Sequence, residues 1–232
     1  MKKHFRGENK LKHISVAIDG PVGAGKSTVA RESARRLGYI YCDTGALYRA
    51  VGLYCTENGA DLESEREITA ALDGIKVEIR LVDGTQHVYL NGRDVSEEIR
   101  LPEISMAASA VSAVAGVRAA LLGIQREIAE KNDVIMDGRD IGTVVLPNAD
   151  VKIFLTASAE ERARRRFDEL KKKGSQTTFE EVLADLNKRD YNDSHRANAP
   201  LKRASDAVLA DTTGLSFEES VELVCRTVKE RL

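Results

Sequence analysis

Cysteine is scarce in this chain. Cys42, Cys55 and Cys225 are odd in number, lie far apart and show no C-x-x-C spacing. That excludes a disulfide framework and a thiolate metal site, and it fits a reducing, cytoplasmic compartment. Long hydrophobic runs are missing as well: none approaches the ~20 residues of a membrane-spanning helix, so no membrane partner is expected. The basic opening "MKKHFRGENKLKH" leads into an apolar run broken by Asp19 and without a small-residue cleavage site. Residues 1–13 therefore read as a loose tail rather than a signal peptide. A dominant sign of charge is also lacking. The 35 basic and 37 acidic residues leave a net charge of −2, which argues against nucleic acid as the main partner. No internal repeat or low-complexity tract interrupts the 232 residues, enough chain for one or two domains with a sizeable core. Neither His87 nor His195 has a candidate base or nucleophile beside it, and no catalytic triad emerges.

What is present is more specific. "IDGPVGAGKST", residues 18–28, matches the phosphate-binding pattern G-x-x-x-x-G-K-[ST] at Gly20, Gly25, Lys26 and Ser27. Its flanks suit it. "HISVAID" reads as a short buried strand, and "STVARESARRLG" as a helix with Val29, Ala30, Ala34 and Leu37 on one stripe and Gly38 as its stop. In strand–loop–helix context the backbone of Gly20, Pro21, Val22, Gly23, Ala24 and Gly25, with Thr28 in the first helical turn, can wrap a phosphate at the positive end of the helix. Lys26 can reach the β- and γ-phosphates of a nucleoside triphosphate, and the Ser27 hydroxyl can bind Mg²⁺.

Further along, "YIYCD" is a short strand, followed by a helix with Thr44 as candidate N-cap; residues 64–73 look helical. The pattern changes at residue 75. "KVEIRLV" alternates with Val77, Ile79 and Leu81 on one face, "DGTQ" signals a hairpin, and "HVYLNGRDV" reads as its second strand. This antiparallel pair interrupts a strand–helix alternation and reads as an insert. "EISMAASAVSAVAGVRAALLGIQREIAEK" is helical, with a break expected near Gly116. "DVIMD", "VKIFL" and "AVLAD" complete the strands. Buried strands alternating with helices predict an α/β fold with a parallel sheet covered on both faces, and a site at the strands' carboxyl ends. Asp137 ends an apolar strand there. It can support Mg²⁺, through water, or simply cap the following turn.

Two charged stretches remain. "SAEERARRRFDELKKKG" opens with a capping box, Ser158-x-x-Glu161, and buries Ala159, Ala163, Phe167 and Leu170. Glu160–Arg164 and Glu161–Arg165 are i,i+4 pairs, so a self-paired solvated face is one reading. Arg162 and Arg166 lack such a partner, and with Arg165 they suit polyphosphate. "NKRDYNDSHR" contains N-K-x-D, a guanine-reading signature that normally follows a buried strand. Here it follows "FEEVLADL", where Phe179, Val182, Leu183 and Leu186 have helical spacing, so it is rejected. What survives is Arg189, Asp193 and Arg196 at i, i+4 and i+7 on one helix face, either a site or an ordinary salt-bridged surface.

Taken together, "IDGPVGAGKST", "DTGALYRAV", "AASAVSAVAGVRAALLGIQRE", "MDGRDIGTVVLPNADVKIFLTAS" and "KRDYNDSHRANAPLKRASDA" resemble the bacterial cytidylate kinases, from residue 14 onward. The resemblance implies a three-layer P-loop kinase domain over 14–232. Its core would be 14–45, 117–157 and 205–232, with a monophosphate-binding region and small antiparallel insert at 46–116 and a helical lid at 158–204. It implies transfer of the γ-phosphoryl group of ATP, with Mg²⁺, to CMP or dCMP. These small-molecule substrates would be its partners, and the chain would act as a monomer with no obligate protein partner. By motif it assigns Thr44, Tyr48 and Arg49 to the monophosphate, Ser109, Arg118 and Asp140 to cytosine, and Arg139 to its phosphate. Arg189 and Asp193 would touch the sugar region and Arg196 the phosphates. Lys26, Arg139, Arg189 and Arg196 would surround the transferred group, with Arg162, Arg165 and Arg166 on the ATP side. Phosphoryl transfer asks for positioning and charge neutralisation rather than a nucleophile, which this set supplies. A kinase for another nucleotide, or a GTP-dependent switch, are the competing readings; the second lacks a D-x-x-G element after "VIM".

Overall fold

The computed structural model describes residues 13–82 and 85–232. Residues 1–12 of the expected tail, and Asp83 and Gly84 of the expected hairpin signal, lie outside the described residues.

Five short strands form the central sheet: Ser15–Asp19 (β1), Ile40–Asp43 (β2), Val134–Gly138 (β6), Val151–Thr156 (β7) and Val208–Asp211 (β8). All neighbours are parallel, in the order β2-β6-β1-β7-β8. Val16, Ile18, Ile135, Ile153 and Leu155 pack on one face against helices Lys26–Leu37 (α1) and Phe217–Arg231 (α8). Ala17, Cys42, Val134 and Met136 pack on the other against Ala129 of helix Ala115–Lys131 (α5). Burial on both faces is why these strands are nearly all apolar until their last residue. The register then sets Asp43 opposite Asp137, and Asp19 opposite Gly138. Three aspartates thus gather at the carboxyl edge.

A second core lies over residues 44–117, where Leu47, Val51, Ile68, Ile99, Val111 and Val117 are buried together. It contains helices Thr44–Glu57 (α2), Glu65–Ala71 (α3) and Pro102–Ala113 (α4), and strands Val77–Val82 (β3), Thr85–Leu90 (β4) and Arg93–Asp94 (β5). Several local expectations change here. The N-cap of α2 is Asp43, whose carboxylate accepts from the Ala46 N–H at 3.1 Å; Thr44 is already helical. The insert has three strands rather than two. Asn91 (φ 49°) and Gly92 (φ 83°) sit in the left-handed region and turn "HVYL" back on "RD". Of the predicted apolar face Val77 is buried, Ile79 half-buried and Leu81 exposed. The long helical stretch breaks at Val114, which is extended (φ −79°, ψ 122°), and α4 and α5 meet at 98°. Gly116 lies within α5, close to Leu72 of the turn after α3.

Helices Ala159–Lys172 (α6) and Phe179–His195 (α7) pack together through Ala163, Val182 and Leu186. Ser158 caps α6 by accepting from the Glu161 N–H at 3.1 Å, but Glu161 turns its carboxylate to Arg165 (3.0 Å) instead of completing the box. Arg164 lies over the Phe179 ring, 4.6 Å from its centroid. Arg196 falls just past the end of α7, in extended backbone, so it does not share a helix face with Arg189 and Asp193.

Candidate active site

The loop between β1 and α1 is shaped by close approach. A Cβ on Gly20 would stand 1.9 Å from the Leu155 carbonyl oxygen, and Gly25 enters α1 at φ 82°. No side chain caps α1, so its first N–H groups stay open at the wall of a cavity. Lys26 is buried, and its ammonium donates to the Pro21 carbonyl at 2.7 Å. Burial, and then the charge of Arg139, hold it down at about 7. Bound phosphate would favour the charged form again. Ser27 Oγ donates to Asp137 Oδ2 and the Tyr41 hydroxyl to Oδ1, both at 2.9 Å. Burial, with Asp43 next to it, pushes Asp137 up to about 6.

Asp19 fixes the following corner. Its carboxylate accepts from the N–H groups of Ile141 and Gly142, each at 2.7 Å, and burial pushes it up to about 6. Residues 141–145 form a single wide helical turn directly after Arg139 and Asp140. Both side chains are therefore aimed from a rigid support.

One cavity of about 440 Å³ unites the two halves of the prediction. Its wall includes Val22, Gly23, Gly25, Lys26, Ser27 and Thr28 from the loop, and Thr44, Tyr48, Arg49, Ser109, Arg118, Asp137, Arg139 and Asp140 across from it. Arg166 and Arg189, with Asp193 and Arg196, close it from the α6–α7 side. The arginines stand in pairs with acids: Arg49 with Asp43 (2.6 Å), Arg139 with Asp193 (2.7 Å), Arg166 with Glu169 (2.8 Å) and Arg189 with Asp185 (3.8 Å). Arg118 bonds Asp140, donates to the Ser112 carbonyl (3.1 Å) and lies over the Tyr48 ring. Arg196 lies 3.5 Å from the same carboxylate and donates twice to the Ala199 carbonyl. These acids hold the guanidinium groups in place, and an incoming phosphate would compete with them for the same donors.

Gly20, Pro21 and Ala24 lie behind this wall rather than on it. Arg162 and Arg165 do not reach it either. Arg162 donates to the Val22 carbonyl (2.8 Å) and Arg165 to the Thr212 carbonyl (2.8 Å). Asp43, Ser105, Ser112, Glu169 and Asp185 line the cavity although the sequence reading did not select them. For Asp43, and for Asp19 beneath the wall, a signal existed: each ends an apolar strand, as Asp137 does.

The match to known proteins covers nearly all of this architecture. The family model for cytidylate kinase matches residues 16–230. The chain belongs to the cytidylate kinase family. It is 53% identical to a cytidylate kinase of Caldicellulosiruptor bescii over 214 residues, 92% of this chain and 95% of the relative. Over 231 residues it is 48% identical to a cytidylate kinase of Lactobacillus johnsonii, covering 100% of this chain and 99% of that one. Among solved structures an uncharacterized protein from Eubacterium ventriosum shares the fold, with a TM-score of 0.53 at 10% identity over 94% of this chain and 100% of its own. As a cytidylate kinase the chain is an enzyme of pyrimidine nucleotide metabolism that moves the γ-phosphoryl group of ATP to CMP or dCMP. The expected parallel-sheet core with helical layers and a small antiparallel insert is the fold observed.

Proposed function

We propose that transfer occurs within this single cavity, with ATP on the P-loop side and the pyrimidine monophosphate between α2, α4 and α5. The observation that carries this is the shared wall: Lys26 and Asp140 line one cavity from opposite motifs. Lys26, Arg139, Arg189 and Arg196 neutralise the transferred group, Arg139 also holds the acceptor phosphate, and Arg166 approaches from the ATP side. Thr44, Tyr48 and Arg49 orient the monophosphate, and Asp193 faces the sugar. Ser109, Arg118 and Asp140 read cytosine. A carboxyl oxygen of Asp140 accepts from the exocyclic amine, where uracil would present a second acceptor.

The residues also suit Mg²⁺. Ser27 and Asp137 supply oxygen donors, and Asp43 beside Asp137 adds a second negative charge that Lys26 opposes. Among the described residues no cluster of three or more His, Cys, Asp or Glu could cage a metal. A site with few protein ligands is what Mg²⁺ uses when substrate phosphates complete its shell. Bound there, it would neutralise charge on the β- and γ-oxygens. We further propose that the enzyme works as a monomer in the cytoplasm. The three cysteines are free and buried, as suits a reducing compartment. In this reading α6, α7 and the return to residue 204 act as a lid that excludes water once both substrates bind.

Coupled ADP release with each nucleoside monophosphate in turn tests the assignment. CMP and dCMP should be the efficient acceptors, and Lys26→Ala should abolish transfer with the fold intact. ADP release that needs no acceptor would overturn it.

A further inference from the structure

One residue of the P-loop, Val22, has both of its main-chain polar groups gripped by side chains from α6 and α7. The Val22 N–H donates to Asp190 Oδ1 at 3.2 Å, and the Val22 carbonyl accepts from Arg162 Nη1 at 2.8 Å. Arg162 and Asp190 are themselves ion-paired at 2.7 Å. Arg162 is further pinned by its Nε, which donates to the Ala157 carbonyl at 3.0 Å, and it is only 6% exposed. The contact continues at Gly23, where a Cβ would meet Arg162 Cβ and Leu186 Cδ2 at 3.4 Å each. Arg166, one turn further along α6, lines the cavity, whereas Arg162 does not.

We propose that Arg162 and Asp190 are positioning residues for ATP, acting through the main chain of Val22 rather than on the nucleotide. A loop with glycines at 20, 23 and 25 has wide conformational freedom, and that freedom would have to be lost on binding. Fixing the two peptide planes that flank Val22 in advance lowers that cost. Because the Val22 N–H is committed to Asp190, the nucleotide is left the donors further along the loop and at the start of α1. The grip draws one residue from each of the two helices. It therefore also ties the base of the lid to the phosphate cradle, so a change in one reaches the other. This inference rests on the reading of residues 20–27 as the ATP cradle.

The test compares Arg162→Ala, Asp190→Ala, Asp190→Asn and the double alanine variant in the full chain. It measures binding of a non-hydrolysable ATP analogue, KM for CMP, thermal melting and hydrogen exchange at the Val22 amide. Both single alanine variants should weaken the analogue about tenfold, the order expected for one buried hydrogen-bonded unit. KM for CMP should stay unchanged, and the double variant should be no weaker than the worse single one. Asp190→Asn keeps an oxygen for the Val22 N–H and should recover most of the loss. Exchange at Val22 should quicken in Asp190→Ala. If Arg162→Ala weakens the analogue while Asp190→Ala binds it normally, Arg162 is a direct phosphate ligand and the proposal falls. Equal losses for ATP and CMP together with a lowered melting point would also overturn it, as a merely structural role. The underlying cradle reading fails separately, if Lys26→Ala retains transfer.

Discussion

Gln86, in the middle strand of the antiparallel insert, grips the main chain of Asp43 at the edge of the central sheet. Its amide oxygen accepts from the Asp43 N–H at 2.8 Å, and its amide nitrogen donates to the Asp43 carbonyl at 3.1 Å. Asp43 in turn caps α2 and holds Arg49. The insert is therefore coupled to the residues proposed to seat the monophosphate. Gln86→Ala would remove both bonds, worth roughly 0.5–1.5 kcal/mol each. We expect KM for CMP to rise about tenfold with kcat nearly unchanged. Steady-state kinetics at saturating ATP checks this. A lower melting point with an unaltered KM would leave Gln86 a purely structural link.

The carboxylate of Asp137 receives two hydroxyl donors, Ser27 and Tyr41. Asp137→Asn preserves the shape and one acceptor oxygen while removing the charge. If the carboxylate supports Mg²⁺, kcat should drop by about 10²-fold or more, as for loss of a charge-stabilising group. The Mg²⁺ concentration needed for half-maximal rate should rise as well. A variant with an unchanged Mg²⁺ requirement would assign Asp137 to the packing of Ser27 and Tyr41 alone.

How much of this was legible depended on range. The P-loop could be read because strand, glycine loop and helix are contiguous, and the parallel sheet because each buried strand is a local apolar run. Asn91-Gly92 was also legible as a turn, but the alternation of β4 carried the eye through it. The break expected near Gly116 falls two residues earlier, at Val114. It accompanies the close crossing of α4 over α2, where a Cβ on Gly52 would come within 2.9 Å of the Ala108 nitrogen. The partners of Arg162 were hidden by distance in sequence. Its apparent want of an acidic partner held only within its own helix, whereas Asp190 lies on the next one and Val22 is 140 residues away in sequence. Spacing within one helix cannot show either.

Asp19 makes stability depend on pH. Burial raises it from 3.8 to about 6, against the opposing pull of the Ile141 and Gly142 N–H groups; Asp140 and Lys26 are the charges that face it. The folded protein thus keeps this proton to a higher pH than the unfolded chain. The resulting stabilisation is complete below the unfolded value and is lost as pH rises through about 6. Across that window the contribution is on the order of 2–3 kcal/mol. Asp137 adds a dependence of the same sign. In urea unfolding at pH 4 to 7, Asp19→Asn should therefore gain on the wild type as pH rises. The absolute stability of the variant is not the readout, since an amide meets two N–H donors less well than a carboxylate does. Parallel curves for the two proteins would refute the assignment.

Asp140 is expected to decide between cytosine and uracil. It follows a buried strand, its backbone is braced by the turn that Asp19 holds, and it is only 4% exposed. It bonds Arg118 and faces Arg196. That pairing could mean that it merely keeps two arginines in place. The two roles separate in Asp140→Asn. If the carboxylate accepts from the amine of cytosine, exchanging it for an amide that can also donate lets the NH₂ turn toward the uracil carbonyl. The penalty against UMP then shrinks, though only in part, because Ser109 and Arg118 still shape the pocket. One hydrogen-bond preference of ~1.4 kcal/mol corresponds to about a tenfold fall in the CMP-over-UMP ratio of kcat/KM. If instead Asp140 only positions Arg118 and Arg196, both substrates lose activity in proportion and the ratio stays where it was. Measuring kcat/KM for CMP and UMP on the same variant distinguishes these outcomes, and an unmoved ratio takes Asp140 out of base recognition.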